Sequence, residues 1–209
     1  MNGGTTPPGH HRDTPRNAGT SAHPGRSLLR LPTGDNPIGT VTTPPTPPPA
    51  VGGARLTATT GRVNNKTLEA RRDVLTYTTP ALGHDIEVIG EISAEIWFRS
   101  SLSHADIFVR LCDVDPRGRS FNICDGLISL TDADRLACRS ITLWPTAHRF
   151  KKGHRIRVQV CSGAFPRFAR NTGTGESHAT AVELRVAEQE IYHDPDHPSA
   201  IVLLPQRTV

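Results

Sequence analysis

Apolar and polar residues alternate along most of the chain from residue 71 onward, which is the period-two pattern of strands that bury one face. The clearest case lies between residues 92 and 98, where every second residue is apolar and positions 93 and 95 are Ser and Glu. The apolar positions there are Ile92, Ala94, Ile96 and Phe98. Further strands are predicted at 74–78, 107–111, 121–130, 141–143, 156–160, 182–186 and 200–204.

The segment 155–160 predicts which side chains enter the core. Three apolar residues alternate there with three polar ones, and a one-residue shift in register would bury two arginines. We therefore expect the apolar set to face inward and the polar set outward. The apolar set is Ile156, Val158 and Val160, and the polar set is Arg155, Arg157 and Gln159.

Turn signals separate the strands. Asp115-Pro116-Arg117-Gly118 is typical of a β-turn, because Pro presets φ at the second position and Gly accepts a positive φ. No long segment has the 3.6-residue period of a helix. The pattern predicts an all-β fold, a jelly-roll-like antiparallel β-sandwich.

The first fifty residues have a different composition. They hold eleven of the 18 prolines and seven of the 18 glycines, and their one apolar cluster spans 28–31. Such a stretch buries too little apolar surface to offset the entropy of the chain. We expect a disordered Pro/Gly-rich tail or linker over residues 1–50, followed by one β-sandwich domain over 51–209.

Charge and hydropathy argue against two classes of partner. The net charge is +4, aromatic residues make up 5%, and no run of Lys or Arg exceeds two. Nucleic-acid-binding domains show clustered basic patches with stacking aromatics, whereas these basic residues are spread along strands. No apolar run approaches the ~20 residues that span a bilayer, and no apolar stretch follows Met1 as in a signal peptide. We expect a cytoplasmic protein that binds neither nucleic acid nor membranes.

The cysteines and most histidines do not form a known reactive motif. No C-x-x-C pair is present; Cys112 and Cys124 flank a predicted hairpin, and whether they pair stays open. His193 and His197 are four residues apart, but the prolines at 195 and 198 exclude a helix that would aim both at one metal. Neither a metal nor another cofactor is expected.

Catalytic motifs of serine hydrolases are not found. A nucleophile elbow needs G-x-S-x-G, and the sequences around Ser21 and Ser177 each lack the second glycine. The Gly-rich segment 171–175 is followed by a strand pattern instead of a helix, so a surface loop is favoured over a phosphate loop. His148 and His154 flank the turn at 151–153 and are interpreted as strand-edge residues, not as general bases. No catalytic residue is assigned.

One run, LWPTAHRFKKGHRIRVQV at 143–160, resembles a signature segment of a known enzyme family. Residues 69–78 are similar to the E-x-R-x-D-V-L-x-Y-T/S segment of the same family. Further similar segments, in order, are 48–53, 104–114, 117–126, 165–175 and 192–199. The family is that of the CocE/NonD hydrolases, and the segments belong to its X-Pro dipeptidyl-peptidase C-terminal, non-catalytic domain.

The resemblance implies an accessory β-sandwich that packs on an α/β-hydrolase catalytic domain. The Ser-Asp-His triad of those enzymes lies in the catalytic domain, so no catalytic residue is carried over and the chain is expected to be inactive alone. The expected partner is a hydrolase domain, separately encoded or lost, or a second copy of this chain. Candidate interdomain contacts are the large side chains around the 151–153 turn: Trp144, His148 and Phe150.

Two other functions stay open at this point. An independent ligand-binding module, such as a carbohydrate-binding β-sandwich, needs an aromatic platform, for which Trp97 and Trp144 are the candidates. A small hydrolase in its own right needs a nucleophile and base in one constellation. The accessory domain, by contrast, predicts an exposed apolar patch where the catalytic domain would dock.

Overall fold

The computed structural model describes residues 27–30, 38–43, 61–177 and 179–204. Within these ranges no helix is both long and apolar enough to cross a membrane. The elements are β1 (Ser27–Arg30), β2 (Ile38–Thr43), α1 (Lys66–Glu69), β3 (Val74–Thr78), β4 (Ile86–Ser100), β5 (Ala105–Val114), β6 (Ser120–Leu130), β7 (Ala137–Phe150), β8 (Arg155–Cys161), β9 (Ala187–Tyr192) and β10 (Ala200–Leu203).

The strands form two antiparallel sheets that pack face to face. In the first sheet β4 is central: β7 lies along one edge, and β10 and β9 share the other edge, with β1 beyond β10 and β2 beyond β9. The second sheet has the order β3-β8-β5-β6. The all-β antiparallel sandwich predicted from the alternation is confirmed.

The core lies between the sheets and consists of the residues that the alternation selects. The even-numbered apolar residues of β4 between 92 and 98 are at most 1% exposed, and so are those of β8. They pack into one cluster with the inner residues of β5 and β7. Its members from β5 and β8 are Ala105, Ile107, Val109, Leu111, Ile156, Val158 and Val160.

The predicted turn after β5 is present. Gly118 has φ of +77°, and its N–H donates to the carbonyl of Asp115 at 2.8 Å. The Asp115 carboxylate also accepts the backbone N–H groups of Arg117 and Arg119, each at 2.9 Å. The turn thus fixes both arginines at the start of β6.

Two strands come from the stretch 1–50 that the composition assigns to a tail. β1 pairs with β10 through four residues, and β2 pairs with β9 through six. β1 covers most of the apolar cluster at 28–31, and β2 is rich in β-branched residues. The remainder of residues 1–50 lies outside the described residues.

The strand predicted at 182–186 is wrong. These residues form no regular element, and Val182, Leu184 and Val186 are 91%, 43% and 50% exposed. Alternation alone does not make a strand where no neighbouring strand offers hydrogen bonds. The next strand, β9, begins only at Ala187 and pairs with β4 and β2.

Candidate functional site

A β-bulge in β7 determines which side chains reach the surface near the 151–153 turn. Two residues of β7, Trp144 and Pro145, stand opposite a single residue of β4, Glu91. Pro145 has no N–H for the ladder, so a bulge costs little there. Before the bulge the odd-numbered residues of β7 face the core, and after it the even-numbered ones do, including His148 and Phe150.

Trp144 leaves the bulge toward solvent and is 64% exposed. The guanidinium of Arg167, from the loop after β8, lies 5.5 Å from its ring centroid. Arg167 is itself ion-paired with the Asp125 carboxylate on β6. Beside these residues runs a groove of about 350 Å³, called the Trp144 groove below. Its lining comprises Asn122, Ile123, Cys124, Asp125, Trp144, Pro145 and Arg167.

The groove is anchored in a buried ion network. Asp125 accepts hydrogen bonds from Arg110 at 2.9 Å and 3.3 Å, as well as from Arg167. Arg110 is fully buried, and its other donors include one to Asn65 at 2.9 Å. A buried guanidinium requires such partners, because an unpaired buried charge is strongly unfavourable. Arg167 is therefore positioned from within the domain.

A second set of polar contacts involves the charged residues of the segment 69–78. The carboxylate of Glu69 accepts from Ser120 Oγ at 2.5 Å, Arg157 Nη1 at 2.5 Å and Gln159 Nε2 at 2.6 Å. Arg71 donates to both oxygens of Asp73, which raises the pKa of Arg71. Part of the outer face of the second sheet is thus covered by the Glu69 side chain of helix α1 instead of water.

This covering corrects one prediction for the 155–160 segment. Gln159 lies on the face opposite the core, as expected, but it is only 1% exposed because Glu69 covers it. Arg157 is half-buried for the same reason, whereas Arg155 is exposed. The three apolar residues of the segment face the core as predicted.

The histidines that flank the 151–153 turn meet at one carboxylate. His148 Nε2 lies 3.1 Å from Asp113 Oδ2, and His154 Nδ1 lies 2.8 Å from Asp113 Oδ1. Burial alone would raise the pKa of Asp113, but the hydrogen bonds from the two imidazoles outweigh it and hold the pKa below its usual value. Asp113 belongs to the second sheet and His148 to the first, so this carboxylate connects the two layers.

Of the three candidate interdomain contacts, the structure leaves two near the surface. Trp144 is largely exposed, and the His148 side chain retains 21% exposure and lines a shallow cavity beside Arg62. Phe150 is wrong as a surface contact. It is fully buried in the core, because the bulge reverses the facing of β7, and it packs edge-on against His148 at 4.7 Å.

The two tryptophans do not form a shared platform. Trp97 on β4 pairs with Cys138, six residues from Trp144 along β7, which corresponds to about 20 Å. The Trp97 ring packs against His197 at 4.9 Å. A sugar would need both rings within one ligand's reach, so the carbohydrate-binding alternative is not favoured.

The thiols on the described residues are unpaired, and most are shielded from solvent. Cys112 and Cys124 lie on the paired strands β5 and β6, but Cys124 stands opposite Leu111 and Cys112 opposite Asn122, and both are free cysteines. Burial raises the pKa of each to about 12, and that of Cys161 to about 11. A thiol becomes a nucleophile only as thiolate, so these three are poor nucleophiles at neutral pH.

The polar groups of the two remaining motifs, 193–198 and 171–175, form hydrogen bonds with other residues of the protein. The Asp194 carboxylate accepts the backbone N–H groups of Asp196 and His197 and contacts the His197 ring at 3.1 Å. Asn171 accepts the N–H of Gly173 and donates to Asp106. These contacts are ordinary turn chemistry, as expected for both segments.

Sequence reasoning missed Arg167, Asp113 and Arg62. The first two are brought to their partners by tertiary structure across 42 and 35 residues of sequence. One signal was available for Asp113: with Asp106 and Arg110 it is one of the charged residues in and around the alternating apolar segment 107–111. Charged residues inside a strand with an apolar core face indicate buried ion pairs.

Residues 7–202 match the family described as the X-Pro dipeptidyl-peptidase C-terminal non-catalytic domain. The chain belongs to this family. The resemblance derived from the segments above is therefore confirmed.

Relatives in sequence and structure agree with this membership. Cocaine esterase of Rhodococcus sp. (strain MB1 Bresler) is 34% identical over 175 residues, covering 77% of this chain and 30% of the esterase. An aminopeptidase from a marine sediment Thaumarchaeota archaeon shares the fold with a TM-score of 0.75, at 21% identity over 87% of this chain and 37% of that one. An α-amino acid ester hydrolase gives a TM-score of 0.75 at 22% identity, over 86% of this chain and 36% of the other. The chain spans about a third of the length of each.

Proposed function

We propose that this chain is the accessory β-sandwich of a CocE/NonD-type serine hydrolase and that it acts docked on an α/β-hydrolase catalytic domain. The observation that carries the proposal is the Trp144 groove, where an exposed tryptophan is held by an ion-paired arginine. Membership in the non-catalytic C-terminal family supports it. The substrates of the parent enzyme would then depend on the catalytic domain.

Trp144 has the properties of an interface anchor. Large aromatic side chains and arginines contribute most of the binding energy at protein interfaces, provided that water is excluded around them. Arg167 is already fixed by Asp125, so little side-chain entropy is lost when a partner covers the groove. The groove continues through Asn122 and Ile123 to the cavity beside His148. We expect a docked area of about 600–1,500 Å², as between domains of one chain.

The histidines and thiols support a non-catalytic role. A serine hydrolase requires an imidazole that contacts a hydroxyl on one side and a carboxylate on the other. Here two imidazoles share the single carboxylate of Asp113, and three of the thiols are buried with raised pKa values. These two imidazoles and three thiols are thus engaged in the structure of the domain.

The isolated chain should hydrolyse neither X-Pro p-nitroanilides nor short p-nitrophenyl acyl esters above the buffer rate. The measurement is release of the chromophore at high protein concentration, with the Ser177→Ala variant in parallel. Ser177 is exposed, and its hydroxyl contacts only a backbone N–H among the described residues. Turnover that disappears in the variant would show that the chain has a catalytic site of its own.

Docking is tested by co-expressing the chain with an α/β-hydrolase domain of the family, for example that of the Rhodococcus esterase. We expect the two to co-purify, and Trp144→Ala to reduce the recovered partner at least tenfold, as roughly expected for an anchor residue. The control is Val182→Ala, which removes an exposed apolar side chain from a loop. Equal recovery with both variants, or self-association of the chain in place of partner binding, would count against the proposed interface.

A further inference from the structure

A second concave surface, separate from the Trp144 groove, lies where the β5–β6 and β7–β8 turns approach each other. Its volume is about 480 Å³, and we call it the arginine cleft. Its lining comprises Arg62, Asp115, Pro116, Arg117, Arg119, Phe121 and His154. We propose that this cleft binds a phosphate-type dianion.

Positive charge in the cleft exceeds what its carboxylate neutralises. Three arginines and Asp115 line the cleft, and the Asp113 carboxylate lies behind it, 3.9 Å from Arg62, so these groups have a formal charge of +1. Asp115 is occupied by Arg119, whose Nε and Nη2 both lie 2.6 Å from Oδ2, and by two backbone N–H groups. Among the described residues, Arg117 has no carboxylate within ion-pair distance. Its charge is available to a ligand.

Arg62 is likewise only weakly compensated. Its Nη2 lies 3.9 Å from Asp113 Oδ2, which is at the limit of an ion pair. Both oxygens of Asp113 already accept hydrogen bonds from His148 and His154. The guanidinium therefore keeps most of its hydrogen-bonding capacity.

Two of the three arginines, Arg62 and Arg119, contact an aromatic ring before any ligand arrives. The Arg62 guanidinium carbon lies 4.1 Å from the centroid of the Phe121 ring, and that of Arg119 lies 5.5 Å from it. A guanidinium that stacks on an aromatic face still directs its N–H groups outward in its own plane. Such preorganised donors bind an oxyanion with little further loss of entropy.

His154 lines the cleft from a third direction. Its Nδ1 is bonded to the Asp113 carboxylate at 2.8 Å, so Nε2 is the ring nitrogen left for a ligand, and it donates to an oxyanion only when the ring carries both protons. The cleft thus combines groups from three separate segments, at residue 62, residues 117–119 and residue 154. A carboxylate presents two oxygens in one plane, whereas a tetrahedral phosphate presents oxygens that face donors on several sides. The geometry favours phosphate over carboxylate.

The test is isothermal titration of the chain with inorganic phosphate, glycerol phosphate and acetate at one ionic strength, set with chloride. We expect phosphate to bind and acetate to bind at least tenfold more weakly. Arg62→Gln and Arg117→Gln should each weaken phosphate binding roughly tenfold, as for loss of a charge-assisted hydrogen bond. If glycerol phosphate binds more tightly than inorganic phosphate, the ligand is a phosphate monoester. If the two bind equally, the ligand is the free phosphate anion.

The matched control is Arg99→Gln, which removes the same charge from an exposed arginine paired with Glu190 on the first sheet. It should leave phosphate affinity unchanged, and all three variants should melt at the wild-type temperature without phosphate. The proposal is overturned if phosphate does not bind, if acetate binds equally well, or if Arg99→Gln weakens phosphate binding as much as the cleft variants do.

Discussion

Asp113 connects the two sheets at the end of the sandwich where β7 turns into β8. Its side chain is 3% exposed and accepts a hydrogen bond from an imidazole on each side. His148 comes from β7 in the first sheet, and His154 from the turn that leads into β8 in the second. The Asp113 carboxylate therefore links the two sheets.

Asp113→Asn should destabilise the domain by about 3 kcal/mol, because it removes a buried charge that both imidazoles contact. The measurement is the free energy of unfolding in urea at pH 7. Asp85→Asn is the control: it removes an exposed aspartate whose partner is Lys151 at 2.9 Å. A loss no larger than that of the control would show that the His-Asp-His contact contributes little.

The same contact has a pH dependence of defined sign. The pKa of Asp113 is lower in the folded protein than in the unfolded chain. Its contribution is therefore fully present above the unfolded value of about 4 and is lost as the pH falls through the folded value. The difference in stability between the wild type and Asp113→Asn should shrink as the pH falls below about 4.

Residue facing was predictable from the sequence wherever the strand pattern ran without interruption. The core side of β8 follows directly from its alternation, and Val158 is 1% exposed. Phe150 was misplaced because one extra residue at Trp144–Pro145 reverses the facing of everything after it. Gln159 faces away from the core as predicted, but its burial was not predictable, because an apolar–polar pattern does not show that Glu69, 90 residues away, covers the polar side.

At the level of elements, β6 and β7 approach closely enough to require a glycine. A Cβ on Gly126 would lie 2.2 Å from the backbone oxygen of Thr142 in β7. Neither backbone can move away freely, because β6 is paired with β5 and β7 with β4. This contact closes the side of the sandwich that carries the Trp144 groove.

Gly126→Ala should cost about 3 kcal/mol, at the upper end for overpacking, since the clash is with backbone. Gly83→Ala is the control, because a Cβ there meets nothing within 4 Å, and it should be neutral or slightly stabilising. Thermal unfolding followed by circular dichroism compares the two. Wild-type stability of Gly126→Ala would mean that the sheets lie further apart here than described.

Element prediction succeeded where alternation coincided with a partner strand and failed where it did not. The apolar residues of 182–186 alternate as well as those of 107–111, yet only the latter have neighbours on both sides, β6 and β8. β1 and β2 show the opposite case, in which a strand forms on a partner although the sequence pattern did not predict it. They are short strands in a Pro/Gly-rich stretch, and their pairing with β10 and β9 is a property of the sheet that their own composition does not reveal.

At the level of the whole molecule, the two proposed binding surfaces meet at the start of β6. Phe121 lines the arginine cleft, and Asn122 and Ile123 line the Trp144 groove. Arg110, Asp125 and Glu69 support this region from the face of the second sheet opposite the core. A partner seated on the groove would therefore lie beside the cleft.

The most direct measurement of docking uses the fluorescence of Trp144. The chain has two tryptophans, so Trp97→Phe leaves Trp144 as the only one. The emission of this variant and its quenching by iodide are recorded while an α/β-hydrolase domain of the family is added. The added domain contains no tryptophan, so all of the emission comes from Trp144. Covering a side chain that is 64% exposed predicts a blue shift and strong protection from iodide. A complex that forms with Trp144 still fully quenched, or the absence of any complex, would contradict the account.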